Sequence, residues 1–255
     1  MDSQFLAAAL EKSAGKVDGR LSVYLQAPED GETVRTSLRR LEAAFSLMPK
    51  KARRKNRAQI KAYKEFFRAN SRVRDYDIIR GKLEGCANAR ILAGVDRKRK
   101  ADLGRALVLA RAVQALPALD VKKIDGKKLD ARADKVANRL LGSIEERLPA
   151  ALTDSDEKEE LHELRKDLKK VRYVLEILPA GSRNGHEARL APLIEAKGAV
   201  AARRKELQDL IGAIHDCDIA IDYLRKARGA AAIRHKEIAR RDVLFEKFVK
   251  MFSSS

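Results

Sequence analysis

Residues 35–49, RTSLRRLEAAFSLMP, and residues 165–179, RKDLKKVRYVLEILP, are two versions of one segment. At an offset of 130 residues Arg35 falls on Arg165, Leu38 on Leu168, Arg39 on Lys169, Arg40 on Lys170, Leu41 on Val171, Phe45 on Leu175 and Pro49 on Pro179. Further along, Val73–Ile78 (VRDYDI) matches Ile214–Ile219 (IHDCDI) at an offset of 141, so the second copy carries the longer connection. An internal repeat of this length predicts two related structural halves. Each is expected to be an up-and-down packing of about four helices. The least apolar break, Asp120–Lys128, divides them into 1–125 and 126–255.

On a helical wheel at 100° per residue, Leu161, Leu164, Leu168, Val171, Val174, Leu175 and Leu178 share one arc. His162, Arg165, Lys166, Lys169, Arg172 and Tyr173 fall in the opposite one. In the first copy Val34, Leu38, Leu41, Ala44, Phe45 and Met48 form the apolar arc, with Arg35 and Arg39 opposite and Arg40 at the flank. One face of each helix therefore suits a core. The other crowds cations three and four residues apart, which weakens an isolated helix by a few tenths of a kcal/mol per pair. A four-residue step advances about 6 Å, comparable to the spacing of one or two phosphates in an extended chain. Guanidinium forks take phosphate oxygens in pairs, while lysines act as point charges.

The rest of the chain reads as helix: Ala, Leu, Lys, Arg and Glu dominate, and no segment alternates like an exposed strand. Roughly ten helices are expected. Breaks are expected at Pro28–Gly31, Pro49, Lys122–Lys128, Pro149–Asp156 and Pro179–Gly185. The 55 Lys and Arg outnumber the 37 Asp and Glu by 18, an excess that repels itself in a compact fold and points to an anionic partner. Cys86 and Cys217 have no second Cys or His near them at ligand spacing, so no metal site and no cofactor is expected. The start, Met1–Leu10, is too short an apolar run for a signal peptide or a membrane span. The expected location is the cytoplasm.

The pattern His162-x-x-Arg165-Lys166-x-x-Lys169-Lys170-x-Arg172-Tyr173, followed by Leu207-Gln208-x-x-Ile211-Gly212-x-x-His215-Asp216, resembles the CHAD domain, the conserved histidine α-helical domain. The first half adds Arg35-x-x-x-Arg39-Arg40-Leu41 and Val73-Arg74-Asp75-x-Asp77, so the resemblance runs from about Val34 to Tyr223. It implies an all-α fold of two pseudo-symmetric antiparallel four-helix bundles with a basic central groove or pore. It also implies binding of inorganic polyphosphate, with polyphosphate granules as an address. By resemblance Arg35, Arg39, His162, Arg165, Lys166, Lys169 and Arg172 map onto the anion-lining helices; Arg40 and Tyr173 beside them complete the candidate set. Two positions depart from the pattern: Glu32 stands where a histidine is frequent, and His215 where asparagine is frequent.

Three sharper readings compete. His215-Asp216 with His162 imitates a helical metal-dependent phosphohydrolase, but the repeat places Arg74 opposite His215, and Arg cannot take that role. Asp75 and Asp216 are better suited to holding buried cations or helix ends. The runs Lys50–Arg57, Arg97–Lys100 and Arg203–Lys205 suit nonspecific nucleic-acid binding. Against that, Trp is absent and aromatics make up 5%, leaving few platforms for base stacking. A structural or adaptor protein docking through its helices is the third reading. No catalytic residue is assigned: the proposed ligand-facing arc holds cations, one His and one Tyr, and cations alone bind ground and transition states about equally.

Overall fold

The protein is described by a computed structural model covering residues 3–28, 31–84, 89–120, 126–153, 155, 157–196 and 199–253, with the backbone alone for 3–7 and 126–130. Ten helices and no strand occur among the described residues. They are α1 (Ser3–Gln26), α2 (Gly31–Leu47), α3 (Lys50–Lys55), α4 (Arg57–Leu83), α5 (Ala89–Gln114), α6 (Gly126–Thr153), α7 (Lys158–Ile177), α8 (Ala180–Leu193), α9 (Val200–Leu224) and α10 (Ala231–Lys250).

The repeat reappears as matched helix ends. Leu47 and Ile177, which close α2 and α7, are 130 residues apart. Leu83 and Leu224, which close α4 and α9, are 141 apart. Pro49 and Pro179 stop α2 and α7 for the same reason: proline forces the residue before it out of the helical region. The apolar arcs are buried as the wheel requires. Leu161, Leu164, Leu168, Val171, Val174, Leu175 and Leu178 are each no more than 3% exposed, and Val34, Leu38, Leu41, Ala44, Phe45 and Met48 no more than 4%.

Two expected breaks are shorter than the sequence suggested. α6 runs through Pro149 to Thr153, because a proline in the last turns removes a single donor. The Thr153 hydroxyl donates to the Pro149 carbonyl there, at 2.8 Å. α8 begins directly after Pro179 and carries Gly181 and Gly185 inside it. Each glycine weakens a helix by about 1 kcal/mol, and burial of His186 and Leu190 on the same helix offsets that loss.

The chain packs as two compact units, and they do not follow the halves 1–125 and 126–255. One comprises 1–74, 97–137 and 173–179; the other 75–96, 138–172 and 180–255. Residues 121–125 of the expected seam lie outside the described residues, as does Cys86. In the first unit α1 packs on α2, and its Tyr24 ring lies 5.6 Å from that of Phe66 on α4. Buried Asn56 stitches the α3–α4 junction to the segment after α5: its Nδ2 donates to the Ala52 and Asp120 carbonyls at 3.0 and 2.9 Å, and its Oδ1 accepts from the Asp120 amide at 2.8 Å. Gly31 is fixed by space, since a Cβ there would lie 3.1 Å from Asn70 Oδ1.

In the second unit α9 packs on α10 and touches α8. Ile79, Leu83, Ile91, Val95, Leu224 and Ala230 form one core cluster. Two buried ion pairs join α10 to it: Lys82 Nζ to Glu237 Oε2 at 3.0 Å, and Arg241 Nε to Asp218 Oδ1 at 2.6 Å. Cys217, wholly buried, accepts from Lys82 at 3.6 Å. Within the α9 motif the acid that pairs with a buried cation is Asp218, two residues beyond Asp216, where the sequence reading put that role. Burial pushes the Asp218 carboxyl above its ordinary range, further than the Arg241 hydrogen bond draws it down. Such a pair is weak evidence of net stability, but removing one partner is severe. Arg241→Ala should therefore lower the unfolding free energy by about 3–5 kcal/mol, and Asp218→Leu combined with Arg241→Met should recover most of it. Urea denaturation of both variants checks this; a single variant as stable as the parent would contradict it.

Candidate anion-binding site

The candidate residues form two groups, one in each packing unit. In the second unit α7 presents His162, Arg165, Lys169 and Arg172, all half-buried, and Lys166, which is exposed. α9 runs antiparallel beside it. Gln208 Nε2 donates to the Leu168 carbonyl at 2.8 Å, a Cβ on Gly212 would lie 3.9 Å from Arg165 Nε, and the His215 ring sits 4.8 Å from that of His162. As the number rises on α9 it falls on α7. The spacing Leu207-Gln208-x-x-Ile211-Gly212-x-x-His215 is thereby explained: Leu207 and Ile211 are buried, Gln208 ties to α7, Gly212 leaves room beside Arg165, and His215 meets His162.

The Nδ1 atoms of His162 and His215 are 3.4 Å apart, so one ring must present N–H and the other a lone pair. Among the described residues no group of three or more His, Cys, Asp or Glu suits a metal ion. Burial, then Lys166 and Arg165, push the His162 pKa below its ordinary value, against a smaller upward pull from Glu163 and Glu159. Several acids of α7 are paired too. Glu163 meets Lys166, whose hydrogen bond draws the Glu163 carboxyl down. Glu160 holds Arg147 at 2.7 Å, and Asp167 accepts from Ser143 at 2.6 Å.

In the first unit α2 and α4 repeat the arrangement. Arg35, only 6% exposed, lies with Nη2 3.2 Å from Glu32 Oε2, and Arg74 Nε is 3.9 Å from the same oxygen. The Arg39 guanidinium stands 5.7 Å over the Phe67 ring. Residues 32 with 74 and 39 with 67 again place the helices antiparallel. In the two repeat registers Glu32 is the counterpart of His162 and Arg74 of His215, so an ion pair in one unit stands where two histidines meet in the other. Arg40 stacks 5.6 Å over Tyr173 and pairs with Glu176 at 3.2 Å. Tyr173 is 6% exposed: placed on the cationic arc by the wheel, it packs in the first unit beneath Arg40. Sequence reasoning missed Glu163 and Glu176 as partners of the candidate cations. The i, i+3 spacing signals Glu163–Lys166, whereas Glu176–Arg40, 136 residues apart, leaves no local trace.

The family model described as CHAD domain matches residues 6–225. The chain belongs to the CHAD family. A solved structure, the crystal structure of the CHAD domain from the plant Ricinus communis, is similar over 99% of this chain and 92% of its own, with a TM-score of 0.58 and 17% identity. At that identity the likeness is one of fold. No curated protein matches the chain. The CHAD match ends at α9, so α10, with its buried Glu237 and Arg241, lies beyond it.

The lowered His162 pKa has a measurable consequence. As pH falls below about 6.5, the unfolded chain takes up the proton first, so stability declines until folded His162 protonates as well. His162→Gln should flatten that decline. Urea midpoints near pH 7.5 and 5.5 compare the two proteins; an unchanged difference would assign the pH dependence elsewhere.

Proposed function

We propose that this CHAD protein binds inorganic polyphosphate through the cationic faces of α2 and α7, as two pseudo-symmetric bundles lining a basic groove, and that it acts as a binding module, not an enzyme. Granule association in the cytoplasm is the setting this reading suggests. The observation that carries it is the repeated construction: a fully buried apolar arc, with cations at four-residue steps on the helix behind it, appears in both units. Arg165 and Lys169 on α7, like Arg35 and Arg39 on α2, are about 6 Å apart along the axis. His162 adds a group that gains charge when an anion approaches, since opposite charge raises a histidine pKa. In a chain with an excess of 18 cations, diffuse attraction alone gives some affinity for any polyanion.

A second reading, nonspecific nucleic-acid binding, draws on the exposed Arg97, Lys98 and Lys100 of α5 and Lys50, Arg54 and Lys55 of α3. The two separate by position. Arg165→Ala with Lys169→Ala should weaken polyphosphate binding about tenfold or more, as expected for loss of charged hydrogen bonds. Arg97→Ala with Lys98→Ala removes the same formal charge and should matter much less. Titration of both folded double variants at one stated salt concentration, with orthophosphate release assayed in Mg²⁺, checks the proposal. Equal losses would reduce binding to diffuse electrostatics, and phosphate release above background would overturn the non-enzymatic reading.

A further inference from the structure

Two of the candidate cations on α2, Arg35 and Arg40, already hold a carboxylate of this chain. Within the first unit Glu32 Oε2 lies 3.2 Å from Arg35 and 3.9 Å from Arg74, and Glu176 Oε2 lies 3.2 Å from Arg40. The geometry is that of an occupied anion site. Arg35 is nearly closed to water, at 8% side-chain exposure, while the glutamate on it is 56% exposed. Arg40 has one face against the Tyr173 ring, and Glu176 meets its Nε. A guanidinium offers carboxylate and phosphate the same fork, so a phosphate reaching Arg35 or Arg40 competes with a glutamate for it.

We propose that Glu32 and Glu176 are specificity-determining residues: tethered carboxylates that occupy the α2 guanidinium groups until a polyanion long enough to outcompete them arrives. The inference rests on the polyanion reading above and adds a selection by chain length. A short anion exchanges one anionic partner of the arginine for another and gains little. A long chain held at one α2 cation presents its next phosphates to the neighbouring ones at high effective concentration, and displaces the tethered carboxylates without a second encounter. The second unit differs at the equivalent place. Position 162 is histidine where position 32 is glutamate, so a donor stands there in place of a competitor. The Arg40–Glu176 pair is exposed on both sides and so weak, and Glu32 keeps more than half its side chain in water, as a displaceable occupant requires.

The test uses the full chain, with Glu32→Gln and Glu176→Gln singly and combined, and Glu65→Gln as the control. Glu65 pairs with Lys61 at 3.8 Å in the same unit, so its loss changes formal charge equally, away from α2. Affinities for tripolyphosphate and for long-chain polyphosphate are measured at matched phosphate and fixed salt. Each site variant should bind tripolyphosphate about two- to fivefold more tightly, the combined variant more still, with a smaller gain for the long chain. The preference for long chains should therefore narrow. Glu65→Gln should shift both ligands alike and leave the preference intact. The proposal is overturned if the combined variant behaves like the control, binds more weakly than the parent, or keeps the parent's preference. If the parent binds neither anion, the polyanion reading fails. Binding gained only by the combined variant would still support the tethered competitors, and none in either would remove both ideas.

Discussion

Seven apolar side chains, six on α7 from Leu161 to Leu175 and Leu178 just after it, are each at most 3% exposed, and every polar group on that helix must use the angle they leave. Burial of a leucine is worth about 1.5–3 kcal/mol, whereas the mutual repulsion of neighbouring helical cations is a few tenths. The apolar arc therefore decides the orientation, and the cations accept whatever crowding follows. α2 obeys the same constraint in the other unit, with Val34, Leu38, Leu41, Ala44, Phe45 and Met48 buried. A face rich in Arg, Lys and His thus follows from core formation plus sequence, without any local preference for cations to gather.

Crowded cations need neighbours of opposite charge, and the structure supplies them from several distances in sequence. Glu163 reaches Lys166 within one turn, Glu32 bridges Arg35 and Arg74 between α2 and α4, and Glu176 meets Arg40 across 136 residues. These pairs lie partly in water and contribute little individually. The pairs that fasten α10 are different in kind: Glu237 and Arg241 are 4% exposed, where an unmatched charge is severely unfavourable. Exposed pairs can exchange partners, and buried ones hold helices in register. That division lets one chain keep a fixed fold while its outward cations remain able to change partner.

Much of this was legible in the sequence, because the signals are periodic. The offsets of 130 and 141 located not only similar residues but the ends of α2 with α7 and of α4 with α9. Every residue the wheel placed in the two apolar arcs is buried, and Ala43, Leu47 and Ile177, outside those arcs, are buried as well. Prolines and glycines misled where helix packing outweighed local preference, as at Pro149 and at Gly181 and Gly185. Side-chain partnerships were less accessible. Asp216 and Asp218 differ by two residues, so both suit a helix, and only the presence of Arg241 on a packed neighbour selects Asp218. Tyr173 fell on the cationic arc but meets Arg40 instead, since a wheel knows only its own helix. Gln208 and Gly212 were visible as a motif, while their purpose needed the antiparallel partner α7.

The claim that positioned helical cations, and not diffuse charge, bind polyphosphate is tested most directly by competition. Labelled long-chain polyphosphate bound to the full protein is challenged with duplex DNA and with unlabelled polyphosphate, at equal phosphate concentration and one stated salt concentration, since phosphate affinities are meaningless without it. The account predicts that unlabelled polyphosphate displaces the label efficiently and DNA does so poorly. DNA displacing it equally well would contradict the account and make the helices one part of a general basic surface.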